Sequence, residues 1–205
     1  MATGDISDTL LLSLGATQSK DKAISNKLLG GSKNIEINSV FAEAIYTPTD
    51  RFTLIANIRN DDNSIFGSAT TYRLASSYFV NDTTNLRAAI ATGYRAPAAD
   101  ELFGQYPESF FVGNPDLLAE ESTSYEIGFD TEIGSTSSFS ATVFKTDITN
   151  QVQYFFDNTL FVGYLKNLAK TETNGVELSF NTQLSESTSL SANWMKLSTL
   201  DSDAN

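Results

Sequence analysis

The sequence contains no cysteine and no histidine. Without cysteine, the chain has no disulfide framework, no thiolate metal site and no cysteine nucleophile. Without histidine, it lacks the most common general base and the most common transition-metal ligand, so a Ser-His-Asp triad is excluded. An enzyme is therefore the least favoured interpretation. We predict no catalytic residue and no cofactor, and we assign no metal site, although carboxylate oxygens remain available to a hard cation such as calcium.

Positive charge and long apolar runs are also scarce. The 13 Lys and Arg residues are outnumbered by 25 Asp and Glu, which gives a net charge of −12 and argues against a nucleic-acid partner. The first 21 residues do not form a secretory signal, because they lack a basic start and their apolar run Leu10–Leu12 is too short. No stretch approaches the roughly 18 apolar residues of a membrane helix. A barrel strand needs no such run, because its lipid and lumen faces alternate.

Serine, threonine, aromatic and β-branched residues dominate, and period-two alternation recurs along the chain. This pattern is typical of half-buried strands. Most of the segments exceed the common soluble strand of about 5–6 residues and match the roughly 9–11 residues of a tilted membrane strand. The nine predicted strands are 8–17, 35–47, 51–60, 69–79, 85–95, 121–133, 137–148, 172–184 and 188–198.

The predicted connections alternate between short and long. Tight turns rich in Pro, Asn, Asp, Gly and Ser lie near positions 47–50, 81–84, 134–137 and 185–188. Longer segments lie between them, near 18–34, 61–68, 96–120 and 149–171. Transmembrane barrels have short periplasmic turns and long extracellular loops, so we expect the four longer segments to be extracellular.

The arginines test this prediction, because an arginine that faces lipid at mid-depth costs about 2–4 kcal/mol. All five fall on the polar register: Arg51, Arg59, Arg73, Arg87 and Arg95. The segment 35–47 is ambiguous, since Glu43 shares a face with Phe41 and Ile45 and the alternation does not identify the lipid side. A soluble antiparallel sheet with one wet face alternates in the same way and remains an alternative. The favoured fold is all-β, an antiparallel up-and-down transmembrane β-barrel.

Four segments, in order, resemble TonB-dependent outer-membrane receptors. GYRAPAADELFG at 93–104 is similar to the family signature G-[FY]-R-A-P-x-x-x-E-L-[FY], and 113–128 resembles G-N-P-x-L-x-x-E-x-S-x-x-[YW]-E-x-G. The stretch 41–59 is similar to a recurrent hairpin, and 167–177 resembles the strand start N-x-x-K-x-x-x-x-G-V-E. The resemblance covers roughly residues 35–185.

Most residues of these matched segments are of types that favour turns. We therefore predict that the segments shape the barrel rim rather than contact ligand. Pro97 ends a strand because it cannot donate to a ladder, and 98–102 then forms a helical turn that includes Glu101. Arg95 is expected to pair with Glu101 or Glu126. The motif residues are Arg95, Pro97, Glu101, Gly113, Asn114, Pro115, Leu117, Glu120, Tyr125, Glu126, Gly128, Gly175 and Glu177.

The resemblance implies more than this sequence contains. A complete receptor of the family has about 22 strands closed around a plug. Here we predict nine strands and no plug domain, and the sequence near its end lacks an aromatic terminal strand. We therefore expect residues 1–205 to be an internal piece of a larger barrel with two open edges.

The implied function is uptake of a bulky, scarce ligand, a ferric siderophore or cobalamin, across the outer membrane. The implied partners are outer-membrane lipid, the small-molecule ligand and the TonB complex, which acts through the missing plug. A passive porin-type or structural barrel is the alternative, followed by a soluble β-sandwich binding module.

Aromatic residues concentrate in two of the long segments, and clustered loop aromatics are typical of a binding surface. The alternative is that they pack the loops against one another or against the rim. The candidate ligand-binding residues are Tyr106, Phe110, Phe111, Tyr154, Phe155, Phe156 and Tyr164.

Overall fold

Alternating apolar and polar residues build one large sheet, seen in a computed structural model that describes residues 1–106, 108 and 110–202. The sheet is antiparallel except where β8 pairs with β11. One short helix, α1 (Ala99–Phe103), follows β6. The strands are β1 (Ala2–Ser7), β2 (Leu10–Ile24), β3 (Ser32–Thr49), β4 (Phe52–Asn63), β5 (Gly67–Phe79), β6 (Thr84–Arg95), β7 (Gln105–Tyr106), β8 (Phe111–Val112), β9 (Glu120–Ile133), β10 (Ser137–Asp157), β11 (Val162–Ser185) and β12 (Thr188–Ser202).

The strands follow an up-and-down meander. Each long strand pairs with the next along the chain, and β6 pairs directly with β9 across the intervening segment. β12 pairs with the lower part of β11, while β8 pairs with the tip of the same edge. Over the described residues the sheet does not close, so β1 and β12 form its two edges. The fold class predicted from the sequence, a partial antiparallel barrel, is confirmed.

All nine predicted strands are present, but several are longer than predicted. β10 has 21 residues and β11 has 24, well beyond the roughly 9–11 that a tilted strand needs to cross a bilayer. The four connections that were predicted to be long are correspondingly shorter, at 25–31, 64–66, 96–119 and 158–161. Beyond the bilayer the alternation weakens, but ladder bonds still satisfy the backbone and extend the strands. β1 and the two-residue strands β7 and β8 were not predicted.

The two registers of the sheet differ in chemistry. Ile127 pairs with Val143, and Val143 pairs with Val176, so one apolar row crosses three strands. Ile127 is 70% exposed and Val143 is 58% exposed. Large apolar side chains in such a row are exposed because this outward face meets lipid.

The orientation of β3, which the sequence left ambiguous, follows from its pairing with β4. Ala42 pairs with Ile58 on the apolar register, so Glu43 lies on the polar register with its partner Asn57. The Asn57 amide donates a hydrogen bond to the Glu43 carboxylate. The lipid side of β3 is therefore the face that carries its alanines and Tyr46.

The buried apolar core lies at the rim rather than within the sheet. Its members come from distant parts of the chain: Leu28, Pro97, Leu102, Leu117 and Leu168. Leu102 and Pro97 are the largest side chains that are fully enclosed among the described residues. None of the described helical residues forms a helix with the length and apolarity needed to cross a bilayer.

Candidate functional site

The segment between β6 and β9 forms the rim. It turns away from β6 at Pro97, forms α1 and the β7–β8 hairpin, and reaches the far edge of β11, where Phe111 pairs with Gly163. The helical turn predicted after Pro97 is confirmed. At the start of this turn, the Glu101 carboxylate accepts a hydrogen bond from the Ala98 N–H at 2.7 Å.

Arg95 joins the start and the end of the rim segment. Its guanidinium lies 2.9 Å from a Glu101 oxygen and 2.6 Å from a Glu120 oxygen. The other Glu120 oxygen accepts a hydrogen bond from the Val152 N–H at 2.7 Å, which ties the rim to β10. Of the two partners proposed for Arg95, Glu101 is confirmed. Glu126 is wrong, because Arg95 lies opposite Glu120 in the β6–β9 register.

Gly113 lies where the chain returns past α1. A Cβ on Gly113 would lie 2.8 Å from the Gly104 nitrogen and 2.9 Å from the Glu101 carbonyl oxygen. Its N–H donates to the Gly104 carbonyl at 2.8 Å, and the Asn114 N–H donates to the Glu101 carbonyl at 2.9 Å. Only a residue without a side chain permits this close backbone contact.

Asn114 then forms the turn and holds it to β11. Its side-chain oxygen accepts from the Asp116 N–H at 2.9 Å, which fixes the turn at Pro115. Its side-chain nitrogen donates to the Leu165 carbonyl at 3.0 Å. Leu117, which follows this turn, is 3% exposed. These contacts account for the asparagine of the motif in structural terms.

Asn167 is a rim residue whose role the sequence did not show, although it begins the motif at 167–177. Its amide accepts from the Leu118 N–H at 2.8 Å and donates to the Leu118 carbonyl at 3.0 Å. The same amide nitrogen also donates to the Asn150 carbonyl. The side chain therefore pairs with the rim segment as a neighbouring strand would.

We expect Asn167→Ala to loosen the rim while leaving the barrel intact. It removes the partners of both Leu118 backbone groups, and because both hydrogen bonds are exposed, each lost bond costs about 0.5–1.5 kcal/mol. Amide hydrogen exchange at Leu118 should accelerate by about tenfold or more. Asn174→Ala, further down the same strand, is the control and should leave this exchange unchanged. Equal exchange in the two variants would contradict the role of Asn167.

A second connection packs against the rim. The Leu29 N–H donates to the Phe103 carbonyl at 2.8 Å, and Leu28 bridges to Gly104. Lys27 forms an ion pair with Glu108, and this hydrogen-bonded ammonium holds the pKa of the Glu108 carboxyl below its usual range. The connections 25–31 and 96–119 therefore form one layer at the end of the sheet.

The candidate aromatic residues separate into two sets. Phe111 stacks on Tyr154 with ring centroids 6.3 Å apart, and Tyr106 lies 5.8 Å from Phe111. Phe110 and Phe156 each contact Phe161 edge-on, at 5.0 and 5.3 Å. We call these six residues the inner aromatic cluster. The cluster includes Phe161, which was not among the candidates.

The rings of the inner aromatic cluster lie on one face of the upper part of β10 and β11. The Tyr154 ring covers Gly163 of β11, whose Cβ would fall 2.6 Å from the ring. Tyr154 remains 53% exposed and Phe110 51%. Phe110 and Phe161 both adopt φ of 54°, which is uncommon for bulky residues and costs about 1–3 kcal/mol each.

Phe155 and Tyr164 lie on the opposite face of the sheet. They pair directly across β10 and β11 and stack with centroids 6.0 Å apart. Strand alternation explains the separation, because Phe155 points away from its neighbours Tyr154 and Phe156. The seven candidates therefore do not form a single surface.

Below the rim, the polar register forms a groove of about 700 Å³. Arg87 lies across it, 2.7 Å from Glu126 and 2.6 Å from Asp130, and donates to the Thr142 hydroxyl at 2.9 Å. Its guanidinium passes over Gly128, where a Cβ would lie 2.5 Å from the guanidinium carbon. Gly128 therefore makes room for this ion-pair network.

Three other motif residues lie within the strands of the sheet. Glu177 lines the groove opposite Arg87. Gly175 lies beneath the Phe144 ring, which a Cβ would approach to 2.7 Å. Tyr125 lies on the outward face and is 47% exposed.

The outward apolar register, the polar groove and the long meandering strands together define an outer-membrane β-barrel. A family model described as TonB dependent receptor-like, beta-barrel, matches residues 10–205. The chain belongs to this family, whose members lie in the bacterial outer membrane.

Curated relatives match part of the chain. A vitamin B12 transporter, BtuB, of Photobacterium profundum is 35% identical over 89 residues, which are 43% of this chain and 14% of the relative. A BtuB of Vibrio vulnificus strain CMCP6 is 24% identical over 155 residues, 73% of this chain and 24% of the relative. The matched stretches thus span less than a quarter of these relatives.

Solved structures match the fold over most of the chain. The siderophore receptor PirA of Pseudomonas aeruginosa aligns with a TM-score of 0.83 and 23% identity, over 93% of this chain and 37% of PirA. The FrpB iron transporter of Neisseria meningitidis aligns with a TM-score of 0.73 and 13% identity, over 98% of this chain and 35% of FrpB. The chain spans about a third of these structures.

Proposed function

We propose that the protein containing this barrel takes up a bulky, scarce ligand through the outer membrane with energy from the TonB complex. The observation that carries the proposal is the inner aromatic cluster. Four of its six residues are 40–58% exposed, namely Phe110, Tyr154, Phe156 and Phe161. They lie on the face that we propose to be the lumen side of the rim, which is supported by a buried core and by Asn114 and Asn167. Exposed aromatic rings on a rigid support are suited to capture a ligand.

The proposed ligand is cobalamin or a ferric siderophore. Sequence relatives named as vitamin B12 transporters support cobalamin, and structural neighbours named as siderophore receptors support a siderophore. The end of the sheet that carries the connections 25–31, 64–66, 96–119 and 158–161 is proposed to be extracellular. TonB is proposed to act through a plug domain in the barrel.

Uptake by a strain expressing the full receptor tests this proposal. Labelled cyanocobalamin and ferric enterobactin are supplied separately, with and without a functional TonB complex. We expect one of them to bind in both backgrounds but to enter the cell only when TonB functions. Entry of either ligand at the same rate without TonB would indicate a passive channel and overturn the proposal.

Removing rings from the inner aromatic cluster should weaken binding. We expect Phe111→Ala combined with Tyr154→Ala to reduce affinity for the transported ligand at least tenfold, since a buried hot-spot side chain contributes more than about 1 kcal/mol. Equilibrium binding of the labelled ligand to the purified receptor measures the effect. The matched control, Phe155→Ala with Tyr164→Ala, removes a stacked pair from the opposite face and should change affinity less than twofold. A similar loss in both variants would contradict the assignment to the inner face.

A further inference from the structure

The barrel wall is split between β5 and β6 near the rim. Their ladder ends at the pair Arg73–Ala91. Beyond this pair, β5 stays paired with β4 as far as Gly67, and β6 stays paired with β9 as far as Arg95. Over about four residues, or roughly 14 Å of strand, each facing edge therefore has a partner strand on its far side only.

One hydrogen bond at the lower end of the split shows which backbone groups face it. The Tyr72 N–H donates to the Thr92 hydroxyl at 2.9 Å, so the backbone groups of Tyr72 point toward β6. Backbone groups of a strand point to the same side at every second residue, so those of Thr70 also face the split. On the other edge, Thr92 follows Ala91 in the ladder and lies opposite Tyr72, so the backbone groups of Thr92 and Tyr94 face the split as well.

These groups of Thr70 and Tyr94 have no hydrogen-bond partner among the residues that the structure describes. Neither the ladders nor a side chain supplies one. The Tyr94 hydroxyl is also buried and forms no hydrogen bond with a described residue. Unpaired strand edges are a template for pairing with another chain, and buried polar atoms are almost always hydrogen-bonded. The split therefore presents two strand edges and one hydroxyl to an incoming backbone.

A cavity of about 430 Å³ occupies the split. Small residues line it on the inward register, namely Ala69, Thr71, Gly93 and Ser122. A Cβ on Gly93 would lie 2.6 Å from the Ser122 hydroxyl oxygen, so the wall is narrow on this side. Residues with hydroxyl groups line it on the outward register, namely Thr70, Thr92, Tyr94 and Thr123. An occupant therefore needs small side chains on its inward side.

Two carboxylates border the outward side of the split. Asp62 lies opposite Ser68 on β4, and Glu121 lies opposite Tyr94 on β9. Both residues are exposed, and neither forms an ion pair with a described residue. Positively charged side chains on the outward side of an occupant would complement them.

We propose that the split is a docking site for an extended, basic peptide segment of another protein at the cell surface. The segment inserts as a strand between β5 and β6, and its backbone pairs with both edges. Its side chains alternate, with small ones toward the lumen and lysine or arginine toward Asp62 and Glu121. The split begins where the outward row of β6 changes from Ile90 to Thr92, so it lies beyond the apolar band and is open to water.

Hydrogen exchange of the full receptor in phosphatidylcholine nanodiscs tests the proposal. The probe is a synthetic peptide, acetyl-Ala-Lys-Ala-Lys-Ala-Lys-amide, in which small and basic residues alternate. Without the peptide, we expect the amides of Thr70 and Tyr94 to exchange rapidly, whereas the ladder protects the amide of Leu74. With saturating peptide, exchange at Thr70 and Tyr94 should slow by about tenfold or more, because a hydrogen-bonded amide exchanges only after it opens.

Two control peptides separate backbone pairing from attraction between charges. N-methylation of the three alanines removes the donors that face one edge, and it should weaken binding by about tenfold. A peptide with glutamate in place of lysine keeps the backbone donors but is repelled by Asp62 and Glu121. It should also bind at least about tenfold more weakly.

Variants of the receptor test the site itself. Glu121→Gln should weaken binding of the lysine peptide severalfold, whereas Glu186→Gln, at the short turn after β11, should have no effect. The chain has no cysteine, so Thr70→Cys with Tyr94→Cys can close the split by one disulfide, because the ladder register places these residues opposite each other. The oxidised double variant should not bind the peptide, and reduction should restore binding.

Slow exchange at Thr70 and Tyr94 in the free receptor would show that the two edges pair with each other, and the proposal would be wrong. Equal binding of the lysine and glutamate peptides, or no effect of N-methylation, would overturn it as well. None of these measurements requires a transported ligand, so the result does not depend on the proposed uptake function.

Discussion

Replacing Ile127 by arginine is expected to destabilise the barrel in a bilayer by about 2–4 kcal/mol. Ile127 lies in the middle of the outward apolar row, between Ala88 of β6 and Val143 of β10, and is 70% exposed. Its side chain faces hydrocarbon, where a guanidinium loses its hydration without gaining a partner. The urea midpoint of the full receptor, folded in lipid vesicles, should fall accordingly.

The control for this experiment is Ile133→Arg. Ile133 is on the same register and strand but at the end near the short turn, and it is 52% exposed. An arginine there reaches the interface, where the cost falls to about 0–1 kcal/mol. An equal loss in the two variants would indicate that the destabilisation does not depend on depth, which would contradict our placement of the membrane.

Gly113→Ala is expected to displace the rim and to reduce ligand affinity by at least tenfold. The added methyl group would lie within 2.9 Å of three backbone atoms, which belong to Gly104, Glu101 and Leu102. Backbone atoms of a hydrogen-bonded turn cannot move aside as a flexible side chain does, and overpacking typically costs about 1–3 kcal/mol. Because the rim supports the inner aromatic cluster, ligand binding is the sensitive measurement.

The same substitution should leave the barrel itself stable. The strands are held by their own ladders, so the urea midpoint is expected to match that of the unsubstituted receptor. Gly4→Ala serves as the control, since a methyl group on Gly4 would have no atom within 4 Å. Normal ligand affinity in Gly113→Ala would show either that the rim adapts to the methyl group or that it does not position the aromatic rings.

Much of the sheet was predictable because every second side chain of a strand points to the same face, so polar and apolar residues alternate along the sequence. Alternation alone places Arg59, Arg73 and Arg87 on the polar face of the sheet, and the structure confirms this placement. The turn after Pro97 was also predictable, since proline limits its own backbone and that of its predecessor. Strand alternation and the conformational limits of proline were enough to predict these features.

The rim was not predictable in the same way. Asn167 contacts Leu118 and Glu120 contacts Val152, and these partners are brought together only by the path of the chain. The separation of Phe155 and Tyr164 from the other aromatic residues required the register of β10 on β11. The strands also extend beyond the lipid, where alternation no longer marks them.

The buried core at the rim also constrains the order of assembly. Leu28, Leu102 and Leu168 are all buried there, although the strands β3 to β6 separate the first two and β9 and β10 separate the last two. Contacts between residues so far apart in the chain form late, because the closure entropy of the intervening segments is overcome only after those strands have paired. The wall of the barrel is therefore expected to be complete before its rim is. A newly inserted chain would pass through a stage in which it spans the membrane but does not yet recognise its ligand.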